Sequence, residues 1–214
     1  MSKKQIVLII VSIILVLAII VGLVYFLGLG EKTENTILDG STSKVNKLYS
    51  ELKEKQEYSF KTTLNEQDEV YYAKKNKVAY IATTYQGETS KFIIKDGNSY
   101  LLLDDEKIYY TYQNNETDLE KITVQLEKIK DKPYTEGKEK IENKEYKYEE
   151  YEDVAEFLVK DIEEQTAKTR FYFDGNKLVY IKTTVGDYQE VLKVEISDNV
   201  DDKLFEIPKD YKEV

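Results

Sequence analysis

The sequence predicts an α+β protein, a curved antiparallel β-sheet with two or three helices on its concave face, preceded by one transmembrane helix. Three observations carry this expectation. Residues 6–29, "IVLIIVSIILVLAIIVGLVYFLGL", hold no charge. From Tyr58 onward apolar residues recur with period two between turn signals, and a few short segments instead repeat them at helical spacing.

At ~1.5 Å per residue the apolar run spans a hydrocarbon core of ~30 Å. Lys3 and Lys4 stand before it and Glu31 and Glu34 behind it, which places residues 1–5 in the cytoplasm, 6–29 in the membrane, 30–41 in a polar linker and 42–214 in an extracytoplasmic β-rich domain. Gly28 and Gly30 offer small residues to a signal peptidase. The run nevertheless exceeds the roughly 7 to 15 residues of a signal h-region, so it reads as an uncleaved signal-anchor in the cell membrane. The Lys-rich composition fits an AT-rich, low-GC Gram-positive bacterium.

After the linker, Val45, Leu48, Tyr49 and Leu52 fall at i, i+3, i+4 and i+7, one apolar stripe of a first helix. Strands follow. Tyr58, Phe60, Thr62 and Leu64 alternate with polar residues, "EVYYAKK" turns at Lys75-Asn76 into "KVAYIATTY", Gln86-Gly87 leads to "SKFIIK", Asp96-Gly97 opens "SYLLLD", and Asp104-Asp105-Glu106 opens "KIYYTYQ". Thr117 and Glu120 then form a capping box for a helix over 118–130 carrying Leu119, Ile122, Leu126 and Ile129, which ends before Pro133. Strands resume in "EKIENKEYKYEEY". Val154, Phe157, Leu158 and Ile162 mark a short helical stretch, and "TRFYFDGNKLVYIKTTVGDYQEVLKVEIS" closes with two more hairpins. About ten strands joined mostly as hairpins make an antiparallel sheet, and helices with a single apolar stripe must cover one of its faces.

Composition excludes much side-chain chemistry. The chain has no Cys, no His and no Trp, hence no thiol nucleophile, no imidazole base, no disulfide and no lipid-modified Cys. A formal net charge of −10 argues against nucleic acid as a partner. Arg170 is the single arginine beside many lysines, and codon bias explains it better than an anion clamp. The acidic runs Asp104-Asp105-Glu106 and Asp198, Asp201, Asp202 lack an EF-hand spacing and read as solvated turns. No P-loop, GxGxxG or GxSxG occurs, and Ser41 to Lys44 reads as helix N-cap chemistry. No enzyme activity, metal or cofactor is expected.

The terminal "VDDKLFEIPKDYKEV", with Leu204-Phe205-x-Ile207-Pro208-x-x-Tyr211, together with a first helix, an inserted helix and the "FYFDGNKLVYI" hairpin, resembles the LolA/LolB/LppX-like superfamily of bacterial extracytoplasmic proteins over roughly residues 42–214. The resemblance implies a half-barrel whose concave face and helices enclose a cavity for acyl chains or lipid-linked molecules. It also implies that the terminal Phe-x-Ile-Pro segment packs against the sheet, burying Phe205 and Ile207, with Pro208 ending the pairing.

The chain holds 19 tyrosines, and Tyr72, Tyr80, Phe92, Tyr110 and Phe157 are the candidate lining residues of a ligand cavity. Two functions are expected from these features. One is a non-catalytic, membrane-anchored binding module for a lipid or other apolar ligand. The other is a structural or regulatory interaction protein with a filled core, acting in envelope stress sensing or on a membrane protein partner.

Overall fold

Turn chemistry sets the strand boundaries. The hairpin turns place residues in the left-handed backbone region that a tight reversal needs: Asn76 (φ 54°), Gln86 and Gly87 (50° and 85°), Asp96 and Gly97 (53° and 73°), and Glu142 and Asn143 (49° and 69°). The computed structural model describes residues 36–65, 68–113, 121–154 and 166–214. Its strands are β1 (Glu57–Asn65), β2 (Asp68–Lys75), β3 (Val78–Tyr85), β4 (Glu88–Lys95), β5 (Asn98–Leu103), β6 (Ile108–Gln113), β7 (Thr135–Ile141), β8 (Lys144–Glu152), β9 (Ala167–Asp174), β10 (Lys177–Val185), β11 (Tyr188–Ser197) and β12 (Lys212–Glu213). Two α-helices accompany them, α1 (Lys44–Glu54) and α2 (Lys121–Glu127).

The chain divides into two units, Lys55–Ile122 with Glu195–Val214, and Thr123–Val194 with the described part of Ile20–Glu54. In the first unit β1 to β6 form an antiparallel meander, each strand paired to the next. Its register fixes two faces, because directly opposed residues point the same way. One face carries Ala73, Tyr80, Ile93 and Leu102, and the terminal segment lies across it. Phe205 is buried among these four, and Leu204, Ile207 and Tyr211 pack beside it. Burying a side chain of this size stabilises by about 2–3 kcal/mol.

Polar contacts fasten that segment strand by strand. Lys55 pairs with Asp198 at 2.6 Å, Glu57 accepts from the Val200 amide at 3.3 Å, and Lys75 pairs with Asp202. Further on, the Tyr211 hydroxyl donates to Asp104 at 2.6 Å and Lys107 pairs with Asp210 at 2.6 Å. Past Pro208 the chain joins the edge of β6 as β12, in parallel register with Lys212 opposite Ile108.

In the second unit β7 to β11 form another antiparallel meander. The α1 stripe of Val45, Leu48, Tyr49 and Leu52 is buried. Its first turn is capped twice, by Ser43 Oγ accepting from the Asn46 amide at 2.9 Å, and by Glu149 on β8, which accepts from the amides of Lys44 at 2.6 Å and Val45 at 3.1 Å. Gly40, just before α1, has no room for a side chain, since a Cβ there would stand 2.3 Å from the Lys132 carbonyl oxygen.

Three expectations are corrected. The fold is a large mixed sheet arrangement of twelve strands with two short α-helices among the described residues, in place of an antiparallel half-barrel with two or three helices on its concave face. The sheet is mixed because the terminal residues pair in parallel with β6. Its strand count rises because the Glu142-Asn143 turn splits "EKIENKEYKYEEY" into β7 and β8. Among the described residues the inserted helix covers Lys121–Glu127 and so ends before the expected residue 130; residues 114–120 and the expected helical stretch through Phe157, Leu158 and Ile162 lie outside the described residues.

The expectation of a single-pass, signal-anchored membrane protein with an extracytoplasmic domain is likewise corrected. No helix of the described residues is long and apolar enough to cross a membrane. The longest, α1, has 11 residues, against about 20 needed to span one. The expected segment, residues 6–29, lies outside the described residues.

Candidate functional site

On the other face of the first unit, one residue from each of six strands lies in a continuous cross-strand row: Phe60, Tyr72, Ile81, Phe92, Leu101 and Tyr110. Its exposure is uneven. Phe60, Tyr72 and Leu101 are 2% exposed and Tyr110 8%, whereas Ile81 and Phe92, at the centre, are only partly buried. One step along β3, on the same face, Thr83 is buried and its hydroxyl has no hydrogen-bond partner. Most buried hydroxyls are paired, so the Thr83 hydroxyl beside this partly exposed row is an exception among the described residues. Tyr58 adds a tilted ring to Tyr72 at 5.8 Å, and Tyr112 one to Tyr110 at 6.5 Å.

Three of the residues expected to line a cavity, Tyr72, Phe92 and Tyr110, therefore share a row. Tyr80 does not. It stands opposite Ala73 and Ile93 on the reverse face, in the cluster beneath Phe205, where burial first, then the charge of Asp104 and the neighbouring Tyr71, push its hydroxyl up to about 12. Phe157 lies outside the described residues.

The second unit has two unlike faces. The face opposite α1 carries Arg170, whose Nε donates to Glu150 at 2.5 Å and Nη1 to Glu139 at 2.7 Å, with the guanidinium 4.5 Å from the Tyr148 ring centre. Lys182 and the Tyr172 hydroxyl also donate to Glu139, at 2.8 and 2.5 Å. Burial pushes the Glu139 carboxyl up, but hydrogen bonds from Lys182, Tyr172 and Arg170 outweigh it and hold the group below its ordinary range. Arg170 thus ties β7, β8 and β9 together. Gly137 belongs to the same assembly, because a Cβ there would meet the Tyr148 hydroxyl at 2.3 Å; only a bare backbone lets that ring lie across β7.

The face bearing α1 holds two buried carboxylates, Glu149 and Glu190, at 3% and 4% exposure. Glu149 caps α1 and accepts from the Tyr151 hydroxyl at 3.1 Å; burial still raises its pKa against those donors. Glu190 Oε1 is buried without a partner, and burial alone pushes its carboxyl up to about 8. Among the described residues no group of three or more His, Cys, Asp or Glu could hold a metal ion.

Thr83 and Glu190 are not among the residues picked out in the sequence, although the signal was there. Glu190 keeps phase with Tyr188, Leu192 and Val194 on an alternating strand, so it is a carboxylate set in the inward phase.

No family profile and no curated protein sequence matches the chain. A solved structure similar to it is the crystal structure of an uncharacterized conserved protein from Thermus thermophilus, with a TM-score of 0.44, 8% identity, and coverage of 79% of this chain and 96% of that one.

Proposed function

We propose that this chain is a non-catalytic binding module that holds a lipid or other apolar ligand against the six-strand row of the first unit. Ile81 and Phe92 make the contact, and the Thr83 hydroxyl meets a polar group of the ligand. The observation that carries this reading is the row itself, buried at both ends and half-open at its centre, beside a buried hydroxyl with no partner. An apolar guest would gain from covering Ile81 and Phe92, and one hydrogen bond would fix its orientation. The resemblance to LolA-like proteins supports the same class of ligand, and the seating of Phe205 on the reverse face leaves this row clear of the terminal segment.

Native mass spectrometry of the full chain purified from its own host, before and after solvent extraction, tests this. The expected result is a discrete added mass that extraction removes and that Phe92→Glu prevents from co-purifying. A bare protein mass in both samples would overturn the reading in favour of a filled-core interaction protein.

A further inference from the structure

On the α1-bearing face of the second unit, four adjacent strands bring four side chains into one row. Tyr151 on β8 stands opposite Thr169 on β9, Thr169 opposite Thr183 on β10, and Thr183 opposite Glu190 on β11. All four are buried. Their protons can be counted, because each hydroxyl carries one. Thr169 donates to the Val154 carbonyl at 2.6 Å, so the 3.2 Å contact between the two threonine hydroxyls uses the proton of Thr183. Tyr151 spends its own on Glu149. The Thr183 oxygen is left with lone pairs only, and across from it stands Glu190 Oε1, buried and unpartnered.

Leaving a carboxylate in this state is costly, and the strand offers an easy way out. An apolar residue at 190 would complete the inward phase of Tyr188, Leu192 and Val194. The chain instead sets an unpartnered carboxylate opposite a hydroxyl whose proton is already spent, with Ile181 and Val185 on β10 and Leu192 on β11 sharing that face.

We infer that Glu190 and Thr183 form a binding position for a primary ammonium group on an aliphatic stem, the carboxylate taking one charged N–H and the threonine oxygen another. An ammonium carries three donors and no acceptor, which matches the Thr183 oxygen and the Glu190 carboxylate in its ionised form. A calcium-like cation would want six or more oxygens, and the other hydroxyls of the row are already committed. The stem lies along Ile181, Val185 and Leu192. A free alkylamine and a lysine side chain both present this chemistry. The position belongs to the second unit and does not depend on the apolar seat proposed for the first.

Isothermal titration of the full chain with butylammonium chloride, with Nα-acetyl-lysine methylamide, and with butanol as the uncharged control tests the assignment. At least one of the two ammonium probes binds saturably and butanol does not; the tighter of the two identifies the source. Glu190→Gln keeps the side-chain shape and weakens binding about tenfold or more, as expected for loss of a charge-assisted hydrogen bond, while leaving the solvent-extractable mass of the first unit unchanged. Should that variant fold poorly by circular dichroism, Thr183→Val gives the second reading, with a severalfold loss expected. Absence of binding by both ammonium probes, equal binding of butanol, or undiminished affinity in a folded Glu190→Gln protein would each overturn the assignment.

Discussion

Glu149 and Glu190 lie on the same face of the same five strands and are almost equally buried, yet the chain treats them in opposite ways. Around Glu149, two backbone amides of α1 and the Tyr151 hydroxyl converge on one carboxylate. Opposite Glu190, the Thr183 hydroxyl has already given its proton to Thr169, and no partner reaches Oε1. Burial therefore does not separate a structural acid from one held in reserve; the count of donors does. The α1 end of the face is closed by its own groups, and the β10–β11 end is one donor short.

The largest effect expected from this contrast is that of Glu149→Ala, which strands the Lys44 and Val45 amides and unfastens α1 from β8. A loss of about 3 kcal/mol in urea unfolding is expected, while Glu190→Gln stays within about 1 kcal/mol of the parent or exceeds it. Equal losses from the two would break the comparison. Next in size is Gly137→Ala, at about 2 kcal/mol, since the new methyl must displace the Tyr148 ring from its place against Arg170; a changed near-ultraviolet circular dichroism of the tyrosines would accompany it.

A pH series sharpens the contrast further. Glu190 in the folded chain is raised from 4.5 to about 8 by burial, with no charged neighbour contributing. Between those values the folded protein binds more protons than the unfolded one, so stability from this group is complete below about 4.5 and is lost as pH rises through about 8. Relative to Glu190→Gln, the parent chain should weaken across that window; parallel stability curves would contradict it. The smallest effect belongs to the first unit. Asp202→Asn removes an exposed partner of Lys75 and should loosen the terminal segment slightly at low salt and not at all at high salt, because exposed pairs are screened.

Much of the strand order was readable from turns such as Asp96-Gly97 and Asp174-Gly175, whose residue types dictate hairpins. The terminal segment was readable too, since Leu204, Phe205, Ile207 and Tyr211 have no reason to cluster in an unattached tail. The faces follow from the turns as well. A tight turn that pairs Lys75 with Val78 necessarily sets Tyr72 against Ile81 and Tyr80 against Ala73, which puts the two tyrosines on opposite sides. What the sequence could not reveal is long-range closure. Nothing near Lys44 announces that a glutamate 105 residues later will cap its helix, and no pattern shows that Pro208 will be followed by a parallel pairing. Phase alone marked Glu190 as inward, but only the fate of the Thr169 and Thr183 protons shows that it is left without a donor.

The most direct measurement is a ¹³C NMR titration of the side-chain carboxyls in the full chain, with and without saturating butylammonium. The Glu190 carbon is expected to titrate near 8 in the free protein and at lower pH when the amine is bound, while Glu149 does not respond to the amine. A Glu190 that titrates near 4.5, unmoved by the amine, would contradict it.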